Sequence, residues 1–384
     1  MWWKIQFKGK IMDLNFGING SFGVAAARPI TISSSTPIGI VATADVGDFG
    51  LMKFNNADEG LEYIKSKNIA NGTLEAVLTG ISLQAVNCPL VVFVCLLSQD
   101  AAINKTNVLD GLDELKKADP LTGINLKNGL IIAPFYSTDI EVAAKMDSIS
   151  TKLWTTGITD NFSDDEAGVS DYVSNFGSKY LLIGHGKYKA DGKIIPFSAL
   201  MAGLIAYHDG NTTFGWSQNH SNRIALGVAG TERVIEYLEG SDCEARRLRQ
   251  KSVSMIVKDV GWRTYGFETT DIDPIWQSLD RVRTFHRLLA AIITASKWAR
   301  DREADQLIWV KKSIVEFMNE LKGNSVVIGF DVYFDSEKNT KATVTAGKFY
   351  LTVKVQDMPS IRELNIELVY ADDWGDTLIN YING

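Results

Sequence analysis

The chain has 384 residues, long for one domain and comfortable for two of about 150 residues each. With 45% apolar and 22% charged residues it has an ordinary globular composition, and a chain this long buries enough surface to need no disulfide staples. A formal net charge of −7 argues against a general nucleic-acid coat. Cys88, Cys95 and Cys243 are scattered and lack CxxC spacing, which argues against a disulfide framework or a structural zinc site. No run approaches the ~18 apolar residues of a membrane span. The opening MWWKIQFKGKIM carries Lys4 inside its apolar patch and does not read as a secretory signal, so a cytoplasmic product is expected.

Residues 1–27 differ from the rest. They hold four glycines, few helix formers and short alternating pieces around Leu14, Phe16 and Ile18, too short to stand alone as strands. They fit a frayed terminus or an arm ordered by adding a strand to another subunit. From Arg28 to Ala44 the pattern alternates and then turns continuously apolar, as a strand entering a core does. Helices are predicted over Asn56–Lys67 and Thr73–Gln84, then a buried strand over Leu90–Leu97. Strands over Gly129–Pro134 and Tyr180–Gly184 follow, separated by helical stretches around Asn107–Ala118 and Glu141–Thr155. Apolar strands alternating with helices predict βαβ units and a mostly parallel sheet.

Pro196–His208 reads as a further helix, Asp209–Arg223 as a polar loop and Thr231–Leu238 as a short helix. A strand is expected at Ser252–Lys258, then two long helices, Ile275–Arg302 and Gln306–Leu321, the second with Asp305 as its N-cap. The end reads as β-rich, with strands over Val326–Phe334, Gly347–Gln356 and Ile361–Tyr370 and an amphipathic tail over Asp372–Ile382.

No constellation for catalysis or nucleotide binding emerges. Gly184-His185-Gly186-Lys187 follows a strand, but the spacing to Gly192-Lys193 and the presence of Ile194 break a phosphate-loop pattern, so a turn is expected. His185, His208, His220 and His286 form no metal-ligand pair, and Gly215-Trp216-Ser217-Gln218-Asn219 lacks the second glycine of a nucleophile elbow. Asp164-Asp165-Glu166 and Asp372-Asp373 read as solvated loops. Catalytic, cofactor-binding and metal residues are therefore all expected to be none. An α/β enzyme or nucleotide-binding protein with a flexible N-terminus stays open as the alternative.

Charge is more informative. Residues 1–28 carry a net +3 and residues 331–384 a net −4, which suits termini that meet within or between chains. In the helix beginning at Ile275, Val282, Phe285, Leu289, Ile292 and Ile293 share one face. Arg283, Arg287 and Lys297 gather opposite, as a solvated basic face or a docking surface for an acidic partner.

Several ordered pieces carry a resemblance. They are Arg28-Pro29-Ile30 with Ser34–Thr43, Cys88-Pro89-Leu90-Val91-Val92, GWRTYGFETT at 261–270 and Asp273-Pro274-Ile275-Trp276. Asp331-Val332-Tyr333-Phe334-Asp335 and Thr345-Ala346-Gly347-Lys348 complete the set. In that order they resemble the contractile tail sheath proteins of P2-like myophages and R-type tailocins. The resemblance implies a mechanical, non-enzymatic protein of mixed α/β and α+β fold, without a cofactor. The expected tube-proximal α+β domain comprises 28–88 and 250–384, with an outer α/β domain over 89–249 and extended linking arms at 1–27 and 360–384. It implies as partners copies of the chain itself, in hexameric rings and a helical sheath, and an inner tail tube protein. Baseplate and tail terminator proteins are further partners, with no nucleic acid and no membrane; the expected location is the virion tail, assembled in the host cytoplasm. Strand exchange is expected at Leu14, Phe16 and Ile18 and at Leu364, Ile366 and Leu368. Tube contact is expected at Arg283, Arg287 and Lys297.

Overall fold

Uninterrupted apolar runs form the middle of one large sheet. A computed structural model of the chain describes residues 28–372 and 374–383; Leu14, Phe16 and Ile18 lie outside the described residues. The first elements are β1 (Ile38–Ala44), β2 (Gly50–Phe54), α1 (Ala57–Lys67), α2 (Leu74–Ser82), β3 (Leu90–Leu96) and α3 (Ala101–Glu114). Next come α4 (Ala118–Thr122), β4 (Leu130–Ile132), α5 (Ile140–Leu153), β5 (Thr156–Asn161), α6 (Glu166–Val173) and β6 (Leu181–His185). A small three-stranded sheet uses β7 (Lys187–Ala190), β8 (Lys193–Pro196) and β9 (Val228–Thr231), with α7 (Phe197–Asn211) between the last two. The chain continues through α8 (Glu244–Gln250), β10 (Val253–Asp259), β11 (Gly261–Tyr265), α9 (Leu279–Ser296) and α10 (Leu307–Gly323). It closes with β12 (Val327–Phe334), α11 (Lys341–Thr345), β13 (Leu351–Asp357) and α12 (Gly375–Asn383).

Eight strands order as β11-β10-β6-β5-β4-β1-β3-β2. The six inner strands run parallel, and β2 and β11 close the edges antiparallel. Period-two alternation divides the core. Ile38, Ile40, Leu90 and Val92 face α1, α2 and α7, while Val41, Val91 and Cys95 face α3 and α5. All three cysteines are free and buried. Helix α7 is buried from Phe197 to Ala206, which explains its almost wholly apolar sequence.

A second layer, α9, α10 and the β12–β13 hairpin, encloses its own core around Leu288, Ile314, Phe317, Met318, Leu321 and Val327. The approach to β1 joins it: Ile30 is buried there, the Arg28 amide donates to Ser313, and the Arg28 guanidinium lies over Trp298 at 4.2 Å.

Several expectations need correction. Strand pairing crosses the expected boundaries at 88/89 and 249/250, which remain a proposal about radial placement: β1 pairs with β3 and β4, and β10 pairs with β6. Parallel neighbours need long crossovers, so strands adjacent in space come from distant segments. The predicted helix over 231–238 is instead the end of β9, paired antiparallel to β7, and irregular chain. The helix expected from Ile275 starts at Leu279, because the Asp273 carboxylate accepts from the Ile275 amide and holds a turn there. Helix α10 starts at Leu307 after a short 3-10 turn over Ala304–Gln306, with no side-chain cap from Asp305. Residues 361–370 form no strand, since no described strand lies alongside them. The Gly184–Lys187 piece is the β6–β7 turn, with Gly186 at φ +101°.

Helices α2 and α7 touch at glycines. A Cβ on Gly80 would stand 2.6 Å from Ile195 Cγ2 and 2.9 Å from Ala199 Cβ. The substitution Gly80→Ala gains helix propensity but overpacks this contact, and should cost about 1–3 kcal/mol in urea unfolding. An unchanged or raised midpoint would show that the two helices part without penalty.

Burial pushes His185, His208 and His286 down to about 4, and lowers His220 as well. From pH 6.5 down to 4 the unfolded chain therefore binds protons that the folded chain refuses, and stability falls as the pH drops through that window. Asp160, pushed up to about 6 by burial against hydrogen bonds from Ser198, takes up its proton earlier when folded and offsets part of the loss. Urea midpoints at about pH 7.5 should exceed those at about pH 5; the reverse order would contradict the buried, neutral histidines.

Candidate functional site

The largest cluster of buried charge lies where the sheet layer meets α9. Asp209, in the last turn of α7, is fully buried, and Arg283 and Arg287 on α9 are 3% and 2% exposed. Arg283 forms an ion pair with Asp209 Oδ2, and the Nη2 of Arg287 lies 3.4 Å from the same oxygen. The Thr36 hydroxyl also donates to Asp209, while Arg287 donates to Thr36 and to the Ser33 carbonyl. His220 Nε2 lies 3.1 Å from the other carboxylate oxygen. Burial alone would raise the Asp209 carboxyl, but Arg283, His220 and Arg287 hold it well below the usual carboxylate range. Burial pulls Arg287 down to about 10, against the attraction of Asp209.

This placement differs from the solvated basic face that helical spacing suggested. Arg283 and Arg287 are buried against Asp209 rather than solvated, and only Lys297 of that trio is exposed. The physical reason is Asp209, at the edge of the segment expected to be a polar loop. Its signal was an acid within one turn of the apolar run ending at Ala206.

The other side of α9 is correspondingly open. Leu289 and Ile293 are 48% and 41% exposed and line an apolar groove of about 670 Å³. Leu307, Val310 and Ile314 of α10 form another part of its wall, and Phe334, Leu351, Val353 and Val355 of the hairpin complete it. Trp154, Tyr180, Trp276 and His286 sit towards one end, and His286 stacks on Tyr180 at 5.0 Å.

Beyond β13 the chain is largely exposed. Leu364, Ile366 and Leu368 are all exposed, Leu368 at 94%. Helix α12 follows with Leu378, Ile379, Tyr381 and Ile382 exposed. Among the described residues no three His, Cys, Asp or Glu side chains are grouped as metal ligands would be. An exposed apolar surface of this extent marks an interaction face.

Comparison with known proteins supplies the family. The phage tail sheath C-terminal domain matches residues 271–370, which hold α9, α10, the hairpin and the exposed segment beyond it. A putative prophage major tail sheath protein of Pseudomonas aeruginosa (strain UCBPP-PA14) is 31% identical over 310 residues, covering 78% of each chain. The chain belongs to the phage tail sheath family.

The tail sheath protein of Escherichia phage P2 is 24% identical over 384 aligned residues, covering 93% of this sheath protein and 95% of its own length. The fold also matches the helical sheath of the anti-feeding prophage in its contracted state, with a TM-score of 0.69 at 15% identity. That match covers 92% of this sheath protein and 99% of the other chain. A crystal structure of a sheath tail protein from Desulfitobacterium hafniense gives a TM-score of 0.63 at 9% identity, over 90% and 98% of the two chains. As a tail sheath protein the chain is a structural component of a phage-type tail, which sets aside the alternative of an α/β enzyme or nucleotide-binding protein. The mixed α/β architecture expected from the sequence is the one these sheath structures share.

The buried ion cluster is testable without assembly. Asp209→Asn leaves two guanidiniums buried without their counter-charge and should cost about 3–5 kcal/mol of unfolding free energy. The contribution of Asp209 is present above its ordinary value of 3.8 and is lost as the pH falls below it towards the folded value. The variant should therefore lose the Asp209 share of the acid limb, giving a shallower fall in stability than wild type between about pH 4 and about pH 2. An Asp209→Asn chain as stable as wild type would refute the assignment.

Proposed function

We propose that this sheath protein polymerises as stacked hexameric rings around an inner tube protein. Contraction of the stack drives the tube through a target cell envelope, with baseplate and terminator proteins capping the two ends. Rings that repeat through a heterologous contact build a helical filament rather than a closed particle. The work of contraction comes from the difference between two packings of the same subunits, so no hydrolysis is required.

One observation carries the reading. Leu364, Ile366 and Leu368 alternate with Glu363, Asn365 and Glu367, the pattern of a strand with one apolar face, yet all three stand exposed with no sheet beside them. The β12–β13 hairpin is a two-stranded sheet with its outer edges open among the described residues. A two-stranded sheet is marginal alone and an open edge accepts further strands. Residues 360–370 of one subunit, and Leu14, Phe16 and Ile18 of another, fit as those added strands; main-chain hydrogen bonds then link subunits that rotate during contraction.

The inner radius is assigned to the second layer, α9, α10 and the hairpin, and the outer radius to the far part of the eight-stranded sheet. Of Arg283, Arg287 and Lys297, only Lys297 is exposed and so available to the tube.

Deleting residues 1–24, or separately 359–384, should leave a folded monomer, short only of α12 in the second case, that forms no tubes in negative-stain microscopy. Normal helical tubes from either truncation would overturn the linking role of that arm.

A further inference from the structure

The groove between α9, α10 and the hairpin and the exposed face of α12 are two apolar surfaces of one chain that do not meet. We infer that the groove of each subunit holds α12 of a second copy. The inference rests on the strand-addition reading above and names where the chain goes after the added strand.

Continuity is the first argument. Phe334, Leu351, Val353 and Val355 form one wall of the groove, and they belong to the same hairpin whose edge is proposed to accept residues 360–370. Helix α12 begins at Gly375, five residues after Tyr370. Five residues span at most about 18 Å. A segment paired to the hairpin edge therefore delivers α12 beside the groove that the hairpin walls.

Shape and chemistry agree. Helix α12 has nine residues, about 14 Å of length. Leu378, Ile379 and Ile382 fall at the spacing of one helical face and are exposed, while the groove offers aliphatic and aromatic side chains throughout. A helix laid by its apolar face into an apolar groove is a recurrent recognition mode.

Charge is the third argument. Residues 360–384 carry Glu363, Glu367, Asp372, Asp373 and Asp376 against Arg362, a net of −4. The groove is flanked by bases: Lys179 lines it over Trp276, and Lys127 stands 4.0 Å over Trp154, another lining residue. Acids just before and at the start of α12 meet lysines at that end of the groove, which also sets the direction of the helix.

Cysteine cross-linking with a short bis-maleimide tests the inference on the full chain. All three native cysteines are buried, so introduced thiols report alone. Leu289→Cys chains mixed with Leu378→Cys chains should cross-link as dimers in assembled polymers. The yield should be about tenfold above a Leu378→Cys and Val234→Cys control, as expected for thiols held at high effective concentration. If a chain carrying both Leu289→Cys and Leu378→Cys cross-links within itself while the mixed single variants do not cross-link, the helix fills its own groove and the second-copy assignment is wrong. If wild-type chains polymerise and no combination exceeds the control, the groove has another occupant and the inference falls alone. If wild-type chains form no polymer at all, the sheath reading fails and takes the inference with it.

A second variant keeps the test independent of the thiols. Leu378→Asp with Ile382→Asp alters side chains already exposed in the single chain and should leave its melting temperature unchanged while lowering polymer yield about tenfold or more. Unchanged polymer yield would overturn the inference.

Discussion

One carboxylate holds the two layers of this subunit in register. Asp209 ends the most deeply buried helix of the sheet layer, and the guanidiniums that neutralise it come from α9 of the second layer. Thr36, at the approach to β1, joins the same cluster. Charges removed from water in this way are expensive, and they are retained only where each finds its partner. Sliding α9 by one turn would strand two positive charges in the interior. The packing of α9 on the sheet is thus specified by electrostatics rather than by apolar fit alone.

That constraint decides which side of α9 remains free. Because the arginines turn inward, the stripe containing Leu289 and Ile293 turns towards the groove, where it is only partly covered. A monomeric protein would bury such a stripe. A subunit whose native state is a polymer can leave it for a neighbour, and the exposed apolar residues beyond β13 follow the same logic. The eight-stranded sheet, by contrast, is covered on both faces by its own helices and closed by antiparallel edge strands. The chain therefore divides into a body that covers its own sheet and a layer that leaves apolar surface open, with strands of the sheet drawn from both sides of 88/89 and 249/250.

Most elements were legible in the residues because their causes are local. Continuous apolar runs at Leu90–Leu96 and Leu181–Ile183 bury both faces of parallel strands, and Asn56 and Asn68 begin and end α1 by capping and by a left-handed turn. Where the local cause was weak, the reading failed. Residues 231–238 carry no decisive period, and β7 captured their start. Residues 361–370 do carry a strand period, but a strand needs a partner, and none of the described strands lies beside them.

By itself the sequence determined the alternation of strands and helices, the absence of a recognisable catalytic or phosphate-binding motif, and a pattern of motifs that points to a tail sheath. The first two follow from short-range periodicity and from residue types, which a linear chain displays directly, and the third from resemblance to a known family. Only the tertiary structure decided which face of α9 is inside. Helical periodicity separates Arg283 and Arg287 from Leu289 and Ile293 but does not say which set faces water. The default assumption that charge faces out was reversed by an acid 74 residues before Arg283, brought beneath it by the fold. A buried ion pair depends on two distant residues meeting, and no window of sequence contains both.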